Sequence, residues 1–246
     1  MSLEPPCLLP SMLHSKLPRR LPESKGFSIF GLDFTAGGTR NLFFPTTGFS
    51  KNTGEIVSFV KFNGFTLNFQ RIHDQPFLTP GGRLYLGTHS NQRLWYRIGN
   101  IPDTYGDTVL RTGRWYMPSL SWDNGVIQLY LNAQPDDTPQ ADVLAAIEAN
   151  HYIGNTALLN LPLNGWVAEH LVYNRPLTSW ERQYNMRNLD HPIRNGLVLC
   201  LMFLEGAGLT AYDLSGQGNH GNLLPIATPP LWFRTAKWEI RADLFA

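Results

Sequence analysis

The chain has 246 residues, 43% of them hydrophobic and 12% aromatic, which suits one large all-β domain with a packed core or two small ones. Only 16% of residues are charged and the formal net charge is +1, so no concentrated basic face is available for a nucleic-acid groove or an anionic membrane. No stretch reaches the roughly 20 consecutive apolar residues of a membrane span, and 22 Gly with 18 Pro point to short strands joined by many turns.

Residues 1–26 contain Pro5, Pro6, Pro10, Pro18 and Pro22, with Leu8, Leu9, Met12, Leu13 and Leu17 between them. Proline removes backbone donors and holds the chain extended. The apolar residues suggest an N-terminal arm that packs on a partner, the alternative being a disordered tail. Charged residues follow its short apolar pieces, unlike a secretory signal, so synthesis in the cytoplasm without export is expected. Cys7 in this arm and Cys200 in a predicted strand read as two unpaired thiols.

From residue 27 the pattern is that of short strands. Residues 27–30 and 41–44 are separated by a Gly37-Gly38 turn, and 56–62 is rich in β-branched and aromatic residues. Residues 65–70 alternate apolar and polar with period two. Residues 84–86 follow a Pro80-Gly81-Gly82 turn, and in 93–98 Leu94, Tyr96 and Ile98 oppose Arg93, Trp95 and Arg97. The clearest hairpin is 113–132. Its Asn124-Gly125 pair accepts the positive φ angles of a tight turn. Beyond that turn Ile127, Leu129 and Leu131 face one way, and Val126, Gln128 and Tyr130 the other.

Thr138-Pro139 followed by ADVLAAIEA predicts up to three helical turns over 138–149. After a strand over 165–173, Thr178 and Glu181 form a capping box that starts a second helix, with Trp180, Tyr184 and Met186 expected on its apolar side. Residues 195–221 then give a strand apolar on both faces, from Leu197 to Phe203, and a polar glycine-rich loop through Asp213, Asn219 and His220.

Three of these stretches carry a resemblance. NGLVLCLMF…DLSGQGNHG resembles the opening segment of laminin-G-like, concanavalin A-like jelly-roll domains. GRWYMPSLSWDNG…LYLN resembles their central hairpin, and YNRPLTSWE their closing signature. The implied fold is all-β, a concanavalin A-like jelly-roll sandwich of two antiparallel sheets with short helices. The boundaries are an N-terminal arm over 1–26, one domain over 27–224 completed by 195–221, and an apolar C-terminal arm over 225–246. The family's first segment stands near the end here, in rotated order. The late strand therefore either folds back into its own sheet or completes a neighbour's. Self-completion is the cheaper solution, because the termini of such sandwiches lie close together.

The resemblance brings three chemistries to weigh. Retaining glycosidases need two carboxyls about 5–5.5 Å apart, and the Glu-x-Asp-x-Glu run that supplies them in the family is missing; Glu169 stands alone on its strand. Many members bind calcium. Asp213, Asn219 and Glu169 are the oxygen donors, but Ala168 replaces one of an expected acidic pair, so no cofactor is expected. Sugar stacking would fall to Trp95 and Trp122, with Trp115 and Trp166 as further tryptophans, although a large sandwich usually buries such residues.

The expectation is a non-catalytic protein whose arms, through Leu8, Leu9, Met12, Leu13, Leu17, Trp232, Phe233, Trp238 and Phe245, lock onto an assembly. Laminin-G-like domains occur on tailed-phage virions, so the partners implied are capsid or other virion proteins and copies of itself, at a capsid surface. The alternatives are a carbohydrate-binding module, on a fibre or secreted protein, and a glycoside hydrolase.

Overall fold

The computed structural model describes residues 28–35, 38–65, 67–76 and 78–245. The elements up to the central hairpin are β1 (Ser28–Asp33), β2 (Asn41–Pro45), β3 (Thr53–Phe62), β4 (Phe69–Gln75), β5 (Leu84–His89), β6 (Leu94–Ile98), β7 (Thr104–Tyr105), β8 (Trp115–Tyr116), β9 (Pro118–Asp123) and β10 (Val126–Leu131). Then come β11 (Gln134–Pro135), β12 (Gln140–Ala141), β13 (Asn150–Ile153), β14 (Gly165–Tyr173), α1 (Ser179–Arg187), β15 (Leu197–Leu201), β16 (Thr210–Ala211), β17 (Gly221–Leu224), β18 (Leu231–Ala236) and α2 (Lys237–Leu244).

The strands form two antiparallel sheets. One has ten strands in the order β11-β10-β9-β3-β14-β1-β18, with β12 on β10, β8 on β3 and β15 on β14. The other has eight, in the order β16-β17-β2-β13-β4-β5-β6-β7. Leu32, Phe44, Ile56, Phe62, Leu86 and Tyr96 belong to the core between the sheets. A second core lies on the other face of the ten-stranded sheet, where Val57, Phe59 and Leu171 meet Met186 near the end of α1 and Ile240 and Leu244 of α2. Each fully buried side chain of this size contributes about 1.5–3 kcal/mol, and both faces of that sheet need covering because both are apolar.

β3 occupies one whole edge of β14. Its other edge is shared: β1 pairs at Leu32↔Val167 and Asp33↔Trp166, and β15 pairs from His170↔Leu201 to Tyr173↔Leu197. The late strand thus completes its own sheet. It is buried throughout, which explains why Leu197–Leu201 is apolar on both faces. The hairpin of β9 and β10 turns at Asn124 and Gly125, with φ of 47° and 96°, and Ile127, Leu129 and Leu131 point inward. α1 begins with the expected capping box between Thr178 and Glu181.

Four expectations are corrected. The strand placed at 65–70 lies at Phe69–Gln75, and Leu67 is exposed. No helix forms over 138–149. Ala141 pairs with Val126, and the amides of Asp142 and Ala145 donate to the carbonyls of Gly125 and Gly81 at 3.1 Å. Hydrogen bonds to neighbouring loops override helix propensity there.

α1 buries Arg182, Asn185 and Met186 and leaves Trp180 exposed. The helix packs over a buried carboxylate: Glu55 accepts from Arg182 Nε at 2.7 Å, Arg182 Nη2 at 2.8 Å and the Leu177 amide at 2.8 Å.

The C-terminal segment does not reach outward. β18 pairs with β1 over six positions, from Ser28↔Ala236 to Asp33↔Leu231. Phe233 stacks on Trp115 at 6.0 Å, Trp232 Nε1–H donates to the Gly208 carbonyl at 2.9 Å, and the Asp243 carboxylate accepts the Trp115 amide at 2.9 Å. Of the predicted anchors among the described residues, only Trp238 and Phe245 remain largely exposed, at 60% and 51%. Leu8, Leu9, Met12, Leu13, Leu17 and Cys7 lie outside the described residues.

Candidate functional site

Strand register assembles a polar and aromatic surface on the outer face of the eight-stranded sheet. Cross-strand partners share a face, and the pairs Phe43↔Tyr152, Tyr152↔Asp74, Asp74↔Tyr85 and Tyr85↔Arg97 make one row. Arg71↔Gly87, Gly87↔Trp95 and Trp95↔Tyr105 make the next. Gly87 has no side chain, so the Arg71 guanidinium lies across its strand, 3.8 Å from the Tyr85 ring centroid and 4.0 Å from that of Trp95. A Cβ at Gly87 would meet the Gln70 carbonyl and, at 3.2 Å, Trp95 Cε3. Phe69 and Tyr85 pack on Trp95 with centroids 4.7 and 4.4 Å away.

Arg71 Nε donates to Asp74 Oδ1 at 2.8 Å, and both side chains are nearly enclosed. Burial pushes the Asp74 carboxyl up to about 6, against the pull of Arg71 and Arg83, and lowers the Arg71 guanidinium. Above this pair opens a cleft of about 430 Å³, whose walls include Leu78, Arg83, Thr156, Leu158 and Leu161. Asn155 organises the wall loop: its Oδ1 accepts the amides of Thr156 and Leu161, both at 2.9 Å, and its Nδ2 donates to Gly38. A concave, largely apolar site with a few convergent polar groups has the make-up of a small-ligand site.

Gln75 also lines the cleft and ends a buried relay of histidines. Its Nε2 donates to the Gly82 and Ala146 carbonyls, which fixes the amide's orientation and turns Oε1 toward His151. A carbonyl oxygen can only accept, so every later proton is determined. His151 Nε2–H donates to Gln75 at 2.7 Å, His73 Nε2–H to His151 Nδ1 at 2.9 Å, His170 Nε2–H to His73 Nδ1 at 3.0 Å, and the Ser58 hydroxyl to His170 Nδ1 at 2.6 Å. Burial keeps all three imidazoles neutral, and the chain of bonds then makes each the Nε2–H tautomer, spanning the core from one sheet to the other beside Phe44. Burial drives His151 and His170 down to about 3 and His73 well below its usual value.

Two bulges make the relay. On β4 the register shifts between Arg71 and His73, and on β14 between Val167 and Glu169. Each shift turns the following histidine inward where regular alternation would turn it out. Neither Arg71-Asp74 nor the histidines were singled out by the sequence; the one available signal was the density of polar residues in RIHDQ within a strand-rich region.

The predicted site residues fare differently. Trp95 and Trp122 are 2% and 3% exposed, so neither offers a face to a sugar; Trp95 is the floor beneath Arg71, and Trp122 Nε1–H donates to the Ser50 carbonyl. Asp213 accepts the amides of Cys200, Ser215 and Asn219 and the Ser215 hydroxyl. Asn219 bonds Thr47 and Val198. These two residues stitch the 213–220 loop to β15 and to the turn after β2, and among the described residues no cluster of three or more acidic, His or Cys side chains is placed to hold a metal. Glu169 is buried on the opposite side of the ten-stranded sheet, where the cavity beside it measures about 10 Å³, space for one water at most. Its carboxyl is pushed up to about 8 by burial. Cys200 is buried and its thiol is driven up to about 12.

Such a sandwich of two antiparallel sheets, with a cleft on the outer face of one, defines a class. The chain belongs to the concanavalin A-like lectin/glucanases superfamily, whose family model matches residues 36–181. No curated protein matches the sequence. Among solved structures, a "putative carbohydrate binding protein" from Bacteroides ovatus superposes with a TM-score of 0.64 at 16% identity, covering 85% of this chain and 60% of that one. A heptameric SAP-like pentraxin from Limulus polyphemus reaches 0.53 at 14% identity, covering 67% and 85%. The chain thus spans less than two thirds of the Bacteroides protein, and likenesses at these identities speak to the fold.

Proposed function

We propose that this protein binds carbohydrate without cleaving it, in the cleft above Arg71 and Asp74. The observation that carries this reading is the Arg71-Asp74 pair, held on a Tyr85-Trp95 floor at the base of a cleft of about 430 Å³ with apolar walls. Sugars present both hydroxyls and an apolar CH face, and such a site addresses both. The superfamily includes lectins, and the Bacteroides neighbour's name supports the same direction. Asp74 is the one carboxylate among the described residues that line the cleft, whereas glycoside hydrolysis by a retaining or inverting route needs two. The virion-surface reading loses support from the C-terminal segment, because β18 and α2 are docked on their own sheet.

The test is a glycan array followed by calorimetry on any hit, with Ala157→Trp as the blocking variant. Ala157 is an exposed wall residue, so a bulky ring there fills the mouth and leaves the core alone. Binding that is lost in this variant is the expected result. An array without hits, or a hit that binds the variant unchanged, refutes the reading.

A further inference from the structure

We infer that the sugar taken by this cleft carries a carboxylate, as in a uronic acid, and that Arg71 receives it. This rests on the carbohydrate-binding reading and narrows it. The first observation is the state of the guanidinium. Its side chain is 9% exposed, clamped over Tyr85 and Trp95, and Nε is committed to Asp74. Nη1 is completely enclosed without a partner, and Nη2 makes no hydrogen bond either. A cationic donor without an acceptor is unfavourable, and Nη2 is the one that a group in the cleft can reach. With Nε taken and Nη1 enclosed, Nη2 is the nitrogen left to the cleft, and a charge-assisted bond from it suits a carboxylate oxygen.

The second observation is what the other lining groups are already doing. Gln75 is held by Gly82, Ala146 and His151, the Tyr85 hydroxyl donates to Asp103, and the Thr156 hydroxyl donates to Asn160 at 2.7 Å. These lining donors are already committed, whereas the Arg71 guanidinium is not fully so. The apolar wall of Pro76, Leu78, Leu158 and Leu161 suits the CH face of the same ring.

The experiment is calorimetry with a panel of uronic-acid oligosaccharides, each paired with its carboxyl-reduced neutral counterpart, and a sulfated oligosaccharide as a third arm. At least one acidic member should bind roughly tenfold or more tightly than its reduced partner, the margin of one charge-assisted bond. Arg71→Lys keeps the charge but removes the planar donor seated over Tyr85 and Trp95, and should abolish that margin. Leu158→Asp, at a rim residue that is 82% exposed, leaves every buried group in place and should weaken the acidic sugar severalfold while sparing the neutral one. Equal binding of acidic and reduced sugars, binding of the sulfated sugar alone, or an acidic preference untouched by both variants overturns the carboxylate assignment and leaves the carbohydrate reading standing. Failure of every sugar overturns that reading, and this inference with it.

Discussion

Glu169 and the three relay histidines are buried titratable groups with opposite consequences for stability. Burial raises Glu169 to about 8 in the fold, well above an unfolded glutamate near 4.3. A raised carboxyl contributes stability that is complete below the unfolded value and is lost as pH rises through the folded one. Glu169→Gln removes the need to keep a proton there, so it should stabilise the protein by up to about 4 kcal/mol at pH 7.5 and by little near pH 4.5. Urea unfolding at the two pH values checks this, and equal effects at both would show that Glu169 is ionised in the fold. The histidines run the other way. Their folded values, about 3 for His151 and His170 and well below the usual range for His73, lie under the unfolded value near 6.5. Their neutral state contributes stability above about pH 6.5 that is lost as pH falls from there toward 3. Three such groups imply a loss of up to about 4 kcal/mol per pH unit below 6. His170→Leu should make the slope shallower by about one proton, read as unfolding free energy against pH. The same variant strands the Ser58 hydroxyl and the His73 acceptor nitrogen, so its stability at pH 7.5 should fall as its acid sensitivity shrinks.

At the scale of elements, α1 is fixed by charge more than by grease. The side it turns inward carries Arg182, whose guanidinium meets Glu55 in two hydrogen bonds and lies 3.6 Å from the Tyr130 ring centroid. Burial raises Glu55 although Arg182 opposes it. Removing one member of a buried pair leaves the other uncompensated, so Arg182→Met should cost about 3–5 kcal/mol, measured by urea unfolding at pH 7.5. A cost below about 1 kcal/mol would mean that water reaches Glu55. This helix also marks what the sequence could and could not convey. The capping box was legible because it is a local exchange between Thr178 and Glu181, but the buried polar face was not, because it answers a residue 127 positions away. β6 and β10 were legible from alternation, since one face of each strand is buried against the core. β14 was placed at 165–173 and β4 a few residues early, but the facing of their side chains was not legible, because a bulge adds a residue and flips it without leaving a mark in the period. The candidate cleft fell between these cases. Its floor residues sit on regular strands, but Arg71 and Asp74 come together through a bulged one, and the wall is a loop ordered by Asn155.

For the molecule as a whole, the rotated order of the chain makes the C-terminal quarter part of the scaffold. β15 closes half of one edge of β14, β17 pairs with β2, β18 covers the free edge of β1, and α2 lays Ile240 and Leu244 on the outer core. The C-terminal arm expected to lock onto an assembly through Trp232, Phe233, Trp238 and Phe245 docks instead on the same chain: Phe233 has Trp115, and Trp232 has Phe203, while Trp238 and Phe245 stay largely exposed. The two assignments differ in what truncation does. If residues 231–246 served only to hold a partner, a chain ending at Pro230 would fold normally and merely lose that partner. As the strands are arranged, that truncation uncovers Ile29 and Trp115 on the outer face and leaves the six-residue edge of β1 unpaired. An exposed apolar edge strand is a template for aggregation, and burying three or four large side chains is worth several kcal/mol, a large share of the stability of an ordinary domain. The truncated chain should therefore aggregate on expression, or unfold at a much lower urea concentration than the full chain. A soluble monomer with an unchanged midpoint would show that β18 and α2 are accessory to the sandwich, and would return the C-terminal segment to the role of an interaction arm.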